Sequence, residues 1–393
     1  MELLLAILVG KIAGFLSRLF QIGGGSAAPG LYALKIYPKL VEKLTKNIPH
    51  HAVITGTNGK TTTARILAHL AQGAGLKVIR NHTGSNLERG IASALISSVH
   101  PGGARTNFDL GIWELDEFAF NEVAPKLKPN LVIFLNVSRD QLDRYGEIDK
   151  VVNRWCNTLS KFDPQALILV NSNLTKLKNY FKGQTKEFGK VKNIKANGLN
   201  STSFDLEVAN FKSKVSIPVP GNYNVQNAAA AITAAYYLNI PITPLTNFQP
   251  AFGRVEKLPF GYIFLIKNPA GATQVFETLA PQIGPKDRLL IALNDNLADG
   301  TDISWIWDAE FEKLPNHHTI VSGKRATDLA IRLKYAGFEP KRIHIEPNLE
   351  KALGEARKRL KGTLFILPTY TAMLELQKIL ARQGLKKHYW QEV

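Results

Sequence analysis

The stretch that most constrains this chain is Ile54-Thr55-Gly56-Thr57-Asn58-Gly59-Lys60-Thr61-Thr62-Thr63. The apolar run Ala52-Val53-Ile54 predicts a short buried strand, and a helical pattern runs from about Thr61 to Gln72. Strand, glycine loop and helix together make a phosphate cradle. Backbone N–H groups turn inward at the glycines, and the helix N-terminus adds partial positive charge. Gly56, Thr57, Asn58, Gly59, Lys60, Thr61 and Thr62 are therefore the candidate phosphate-binding residues. Lys60 reaches terminal phosphates, and Thr61 or Thr62 offers a hydroxyl to Mg²⁺. The first glycine comes later than in the common phosphate loop, giving a shorter Gly-x-x-Gly-Lys-Thr form. A nucleoside triphosphate is the expected ligand.

At 393 residues the chain has room for two or three domains. Its net charge of +17 fits nucleic acid, an anionic membrane or phosphate-bearing substrates. No Arg/Gly tract or recognisable nucleic-acid module accompanies the charge, which favours membrane and phosphate. The single cysteine, Cys156, excludes an internal disulfide and any multi-cysteine zinc site. A reducing, cytoplasmic location is consistent with that.

Residues 1–49 form an N-terminal helical segment in this reading. Leu4, Leu8, Ile12, Phe15 and Leu19 share one helical face. No secretory signal is expected, because Glu2 precedes the apolar run and no basic residue does. Lys11 and Arg18 leave the run too short to span a bilayer. Packing on its own protein and lying at the inner face of the cytoplasmic membrane are both open. Residues 23–29 predict a loop and Leu31–Leu44 a second helical segment.

Residues 50–253 alternate strands (52–55, 77–80, 110–114, 131–136, 167–170) with helices (61–72, 87–96, 148–160), which predicts a mostly parallel sheet. The polar, alternating stretch Lys176–Val215 predicts a small antiparallel extension. Residues 254–393 repeat the α/β alternation and predict a smaller Rossmann-like domain. Its strands are expected at 263–267, 288–293, 319–322, 342–345 and 363–367. Its helices are expected at 272–280, 326–335, 349–360 and 372–383.

Ile112-Trp113-Glu114-Leu115-Asp116-Glu117 ends a strand where a carboxylate can hold a nucleotide's Mg²⁺. Another strand delivers Asn136-Val137-Ser138-Arg139-Asp140-Gln141-Leu142-Asp143-Arg144-Tyr145-Gly146. Pro220-Gly221-Asn222-Tyr223-Asn224-Val225-Gln226-Asn227-Ala228 and then Gly253-Arg254 follow. In this order and spacing the set resembles the Mur ligase family over nearly the whole chain. The resemblance implies a phosphate-loop ATPase fold and an ATP-dependent ligase that activates a carboxylate as an acyl phosphate. It also implies that Lys60 and Thr61 hold phosphates and Mg²⁺, Glu114 binds the metal, Asn227 contacts adenine, and Arg254 contacts phosphate.

Lys267-Asn268-Pro269-Ala270-Gly271, Asp299-Gly300-Thr301-Asp302-Ile303-Ser304-Trp305-Ile306-Trp307-Asp308 and Leu367-Pro368-Thr369-Tyr370-Thr371-Ala372 look like the MurT branch of that family. Members are ligase subunits of lipid II isoglutaminyl synthase. They amidate the α-carboxylate of D-glutamate with ammonia from a GatD-like glutaminase. The branch implies that Asn268 belongs to the nucleotide site and that an aspartate of the ligase orients the glutaminase histidine. Asp302 is the first candidate and Asp308 the second, with helix capping the alternative role for Asp302.

Three departures stand out. Trp155 occupies the position where amino-acid-adding relatives often carry a carbamylated lysine. The four-cysteine zinc ribbon of many MurT-like chains is missing, so no structural zinc is expected, and the Lys176–Val215 stretch is its candidate replacement. The residues before the phosphate loop are too few for the usual precursor-binding domain, which suits a lipid-linked substrate. The competing readings are a Mur or folylpolyglutamate-like ligase adding an amino acid, and a non-catalytic ATP-binding scaffold.

Overall fold

The helices Glu2–Leu19 (α1), Ala28–Ile36 (α2) and Leu40–Thr45 (α3) precede the first strand. Residues 31–44 are thus two helices rather than one. Tyr37 precedes Pro38 and is forced out of the helical region, to φ −133° and ψ 88°. The computed structural model describes residues 2–19, 27–81, 85–99, 107–138, 148–250 and 253–386. The expected loop at 23–29 lies largely outside these residues, as does the Asp140–Gly146 motif.

His50–Thr55 (β1), Val78–Arg80 (β2), Leu110–Glu114 (β3), Leu131–Phe134 (β4), Leu167–Val170 (β5) and Gln184–Glu187 (β6) form one parallel sheet. Its order is β2-β3-β1-β4-β5-β6. The central strands are near-continuous apolar runs because both faces are covered. Lys60–Gly73 (α4) packs on one face. Glu88–Ser97 (α5), Ala119–Leu127 (α6) and Ile148–Leu159 (α7) pack on the other, together with α2 and α3. Helix α6 has no counterpart in the sequence reading. Pro125 lies inside it, and its start is set by Asp116 Oδ1, which accepts from Ala119 N at 2.6 Å and Phe118 N at 3.0 Å.

Lys190–Asn197 (β7), Ser201–Val208 (β8) and Phe211–Ile217 (β9) form the antiparallel extension. Phe204, Leu206 and Val208 point from β8 into the core beside Asn222–Tyr237 (α8). The extension starts later than Lys176, because β6 pairs with β5 in the parallel sheet. An exposed edge strand carries no apolar alternation to betray it.

Arg254–Leu258 (β10), Gly261–Phe264 (β11), Arg288–Ala292 (β12), Thr319–Ser322 (β13), Ile343–Ile345 (β14) and Leu364–Pro368 (β15) build the second sheet. Its order is β10-β11-β15-β12-β13-β14, parallel except for β10. Pro269–Leu279 (α9), the short Trp305–Asp308 (α10) and Ala326–Tyr335 (α11) pack on one face. Leu349–Arg357 (α12) and Tyr370–Arg382 (α13) pack on the other.

Candidate active site

A parallel sheet opens its ligand crevice at the carboxyl ends of strands where the order reverses. Here that point lies beside β1, whose next strand is on one side of it while β4 is on the other. The loop after β1 is held by the turn after β4. Thr57 N donates to Asn136 O at 3.0 Å and Asn58 N to Asn136 Oδ1 at 2.9 Å, while Asn136 Nδ2 donates to Asn58 O at 2.8 Å. Gly59 caps α4 with φ 92°, and a Cβ there would lie 2.1 Å from Asn227 Oδ1. Only glycine allows both the left-handed backbone and that approach.

Three carboxylates stand at and just after the end of β3 and go to three places. Glu114 Oε2 accepts from Thr61 Oγ1 at 2.7 Å. Burial raises its carboxyl above the usual range, against the pull of the Thr61 hydroxyl, Arg80, Lys60 and Arg254. Asn81 fixes its backbone through Nδ2 to Glu114 O and Oδ1 from Glu114 N, at 2.8 and 2.9 Å. Asp116 caps α6 and is likewise raised by burial. Glu117 Oε2 lies 3.6 Å from Lys60 Nζ. Burial alone would raise Glu117, but Lys60 and Lys267 hold its carboxyl below the usual range.

Lys60 itself is buried and turned back on the loop, donating to Gly56 O and, at 3.2 Å, to Thr57 O. Thr62 is buried, so the hydroxyl facing the carboxylate is that of Thr61.

The second sheet closes the site. Asn268 and Asn58 exchange side-chain hydrogen bonds, Asn58 Nδ2 to Asn268 Oδ1 at 3.2 Å and Asn268 Nδ2 to Asn58 Oδ1 at 3.1 Å. Asn268 Oδ1 also caps α9 by accepting from Gly271 N at 2.8 Å. Lys267 Nζ reaches Thr57 O at 3.4 Å. A cavity of about 380 Å³ lies between the sheets. Asn58, Gly59, Asn227, Arg254, Lys267 and Tyr223 are among its lining residues. Half-buried Arg254 sits at the junction, its guanidinium lowered by burial while Tyr223 and Glu114 pull the other way.

The structure thus brings Asn58, Gly59, Asn227 and Arg254 onto one cavity, with Lys60, Thr61, Glu114 and Asn268 adjoining. Gly56 and Thr57 shape the loop. Asn136, Glu117 and Lys267 join them without having been singled out as site residues. A strand-end Glu-x-x-Glu and a lysine directly before the Asn-Pro cap were the available signals.

Asp302 and Asp308 do not line the cavity. Both are exposed on the segment after β12, where Asp302 Oδ1 accepts from Ser304 N at 2.8 Å. That bond is a local turn contact ahead of α10; the N-cap of α10 is Ser304 and no side chain caps it, so Asp302 is not a helix cap. Trp155 is fully buried, donates from Nε1 to Glu117 O at 2.9 Å and packs against Phe134, so this position supplies no metal ligand.

A hard divalent ion fits the Thr61–Glu114 oxygens. Mg²⁺ in a nucleotide site takes one or two protein oxygens and completes its shell with phosphate and water. No group of three or more His, Cys, Asp or Glu able to hold a metal occurs among the described residues.

The Mur ligase middle domain model matches residues 54–235, and the MurT ligase C-terminal model matches residues 265–373. The chain is 30% identical to the lipid II isoglutaminyl synthase (glutamine-hydrolyzing) subunit MurT of Streptococcus pneumoniae, over 98% of each chain. Among solved structures it resembles MurF from Acinetobacter baumannii, with a TM-score of 0.72, 19% identity, and 91% of this chain and 81% of that one covered. It also resembles Mycobacterium tuberculosis folylpolyglutamate synthase complexed with ADP and AMPPCP, with a TM-score of 0.66, 16% identity, and 88% and 93% covered. At these identities the structural likenesses speak for the fold.

Proposed function

The chain belongs to the MurT family of Mur ligases, and on that premise we propose that it is the amidating subunit of a two-subunit, glutamine-dependent ligase. The carboxylate acted on is the D-glutamate α-carboxylate of the lipid II stem peptide, and the product is D-isoglutamine. The reaction belongs to peptidoglycan synthesis on the cytoplasmic side, where ATP is available.

A carboxylate at neutral pH is a poor electrophile. Its oxygen attacks the γ-phosphorus of ATP, ADP leaves, and an acyl phosphate forms. The ammonia lone pair then attacks the carbonyl carbon, phosphate departs with the C–O bond electrons, and nitrogen sheds a proton. Phosphoryl transfer depends on positioning and on charge stabilisation, so cations must gather round the phosphates.

In this chain that work falls to Lys60 and Arg254, with the N-terminus of α4 behind the loop. Lys60 has to leave Glu117 and the loop carbonyls to meet an incoming phosphate. Thr61 and Glu114 would hold Mg²⁺, which would supply positive charge to offset that of the phosphates. Asn227 and Tyr223 line the cavity, and Asn227 is the residue assigned to the adenine.

The observation that carries this reading is the Thr61–Glu114 oxygen pair set among Lys60, Arg80 and Arg254 beside a cavity closed by the second sheet. The buried Trp155 speaks against the amino-acid-adding alternative, because the carbamylated lysine of such ligases has no counterpart.

Ammonia in neutral water is mostly ammonium, which has no lone pair to attack with. A partner glutaminase that releases ammonia into a shielded path meets this need. We assign the orienting aspartate of its cysteine–histidine site to Asp302, with Asp308 second; the exposure of both supports this.

The test is amidation of lipid II. The chain alone should convert it with ATP, Mg²⁺ and high ammonium at raised pH, and should need the glutaminase when glutamine is the donor. ATP-dependent addition of an amino acid in place of ammonia would overturn the reading.

A further inference from the structure

Helix α1 wears its side chains inside out. The face turned to the protein is mostly small: Ala6, Gly10 and Gly14 are buried there, with Ile7 the one large residue buried beside them. A Cβ on Gly10 would lie 2.8 Å from Ile96 Cδ1 and 2.9 Å from Pro29 O. One on Gly14 would lie 2.9 Å from Pro29 Cγ. The face turned away is large and apolar. Leu4, Leu8, Ile12, Phe15 and Leu19 are 69%, 55%, 49%, 60% and 61% exposed. They repeat every three to four residues along a helix about 27 Å long. Leu31 and Tyr32 of α2 are exposed as well. A continuous exposed ridge of this kind marks an interaction surface.

Two features identify what covers it. Lys11, the charge in the middle of α1, is turned back to donate to Val99 O at 2.5 Å, so it does not interrupt the ridge. Beyond the ridge, Lys35, Lys39, Lys43 and Lys46 are all exposed on α2, α3 and their flanks, against Glu42 alone. The Lys35 ammonium lies 5.7 Å from the ring centre of exposed Tyr32. The whole chain carries +17. A second copy of the chain would bring two such lysine sets together and repel. An apolar ridge with a basic flank fits an anionic bilayer surface, with the large side chains at the acyl boundary and the lysines among headgroups. No helix among the described residues is long and apolar enough to cross a membrane.

We propose that α1, flanked by the α2–α3 lysines, docks the protein flat on an anionic lipid surface. The tight seat of Gly10 and Gly14 on Pro29 holds α1 to the body of the protein, so that its exposed face stays outward. The inference rests on the lipid-linked substrate assigned above and adds the surface that brings the enzyme to it.

Co-sedimentation with phosphatidylglycerol/phosphatidylcholine vesicles tests it, using the complete ligase–glutaminase complex. Wild-type complex should bind these vesicles well above pure phosphatidylcholine, and 0.5 M salt should weaken the binding. Leu8→Glu/Phe15→Glu should weaken binding by at least about tenfold. Lys35→Glu/Lys39→Glu should weaken binding to anionic vesicles by at least about fivefold and leave neutral ones unaffected.

The Leu8→Glu/Phe15→Glu complex should amidate lipid II in detergent micelles at the wild-type rate and lose turnover on lipid II in vesicles. Retained micelle activity also establishes that it has folded. Equal vesicle binding by wild type and both variants would overturn the proposal. So would light scattering that finds a wild-type dimer of the complex made monomeric by Leu8→Glu/Phe15→Glu, with no vesicle binding by either. Should vesicle binding behave as expected while no preparation amidates lipid II, the docking surface stands and the assigned reaction falls.

Discussion

Two crevices in this molecule share one topological origin and have opposite contents. Each lies at the carboxyl ends of parallel strands. The crevice beside β1 is hollow and charged: Arg254 and Lys267 line a 380 Å³ cavity, and Lys60, Glu114 and Glu117 cluster on the adjoining phosphate loop and strand end. The crevice between β12 and β15 is plugged by its own side chains. Buried Asp299 accepts from Thr371 N at 2.8 Å, Thr371 Oγ1 at 2.5 Å and Asn296 N at 3.2 Å. Asn294 N donates to Thr369 Oγ1 at 3.0 Å, and the side-chain amides of Asn294 and Asn296 donate to Thr371 Oγ1 at 3.2 and 2.7 Å. Topology supplies the location in both cases; side-chain chemistry decides whether it stays open for a ligand or becomes a rigid base. The plug in turn holds the loop on which Asp302 stands exposed.

The sharpest way to break this contrast is to remove Lys60 from the first crevice. Lys60→Ala should lower ATP-dependent amidation by at least about 10³-fold, since cationic groups at a transferring phosphoryl carry effects of that size. The variant should still melt cooperatively by circular dichroism, because strand and helix cores are untouched. Near-normal turnover would remove the phosphate cradle from the mechanism.

The second crevice's rim should answer to a different donor. Asp302→Asn should lower glutamine-driven amidation by roughly 10²- to 10³-fold, because an amide cannot support a histidine as a carboxylate does. Ammonia-driven amidation should hold within about twofold, since Asp302 lies off the cavity. Loss of both activities would put Asp302 in the ligase site or the fold. Loss of neither would move the role to Asp308.

How far these crevices were legible in the sequence differs with the kind of signal. Gly56, Gly59, Lys60 and Thr61 announce themselves, because backbone turn, helix start and charge are all local. Asn227 and Arg254, far along the chain, were reached only through resemblance. That a carboxylate of Glu-Leu-Asp-Glu ends a strand at the crevice is legible locally, and the resemblance singles out Glu114 among them. The split between Asp116 as a helix cap and Glu117 as the partner of Lys60 depends on where α6 begins, and Pro125 hid that helix. Asp299 stands in the same sequence motif as Asp302 without a local sign of its different role. Its partner Thr371 is 72 residues away, and nothing local reveals a buried carboxylate closing a sheet. Lys267 and Asn136 act across elements too, where only packing brings them to the loop.

The plug itself can be drawn. The two Asp299 oxygens together accept from two N–H groups and a hydroxyl, and Asp299→Asn makes one of those oxygens a donor, leaving a buried mismatch. A loss of about 3 kcal/mol in urea unfolding is expected, in line with buried bonds to charged groups. Burial raises the Asp299 carboxyl despite its hydrogen bonds from Thr371. Its native form therefore holds its proton to higher pH than the unfolded form does. Its share of stability falls as pH rises from the ordinary carboxylate value through the raised one, and Asp299→Asn should lack that fall. Ammonia-driven turnover should suffer less than glutamine-driven turnover, because the loosened loop carries Asp302 rather than the cradle. Unchanged unfolding and unchanged turnover would mean that the second crevice is held by its neighbours alone.

The smallest effect expected is at the carboxylate paired with Lys60. Glu117 sits between Lys60 and Lys267, and both ammoniums hold its carboxyl below the usual range against burial. Its contribution to stability is present above the ordinary carboxylate pKa and disappears as pH falls through the lowered native value. Glu117→Gln should cost about 1 kcal/mol at pH 7, since the ion pair is 3.6 Å long and Lys60 keeps two carbonyl acceptors. The cost should vanish in acid, where the wild-type carboxyl is itself neutral. Nucleotide binding should move the other way. A triphosphate must win Lys60 from Glu117 and approach a negative charge to do so. Removing that charge should tighten ATP by about threefold to tenfold in calorimetry, while the rate at saturating ATP changes little. Weaker ATP binding by Glu117→Gln would mean that Glu117 aims Lys60 at the phosphates instead of competing for it. The first crevice would then be as preorganised as the second.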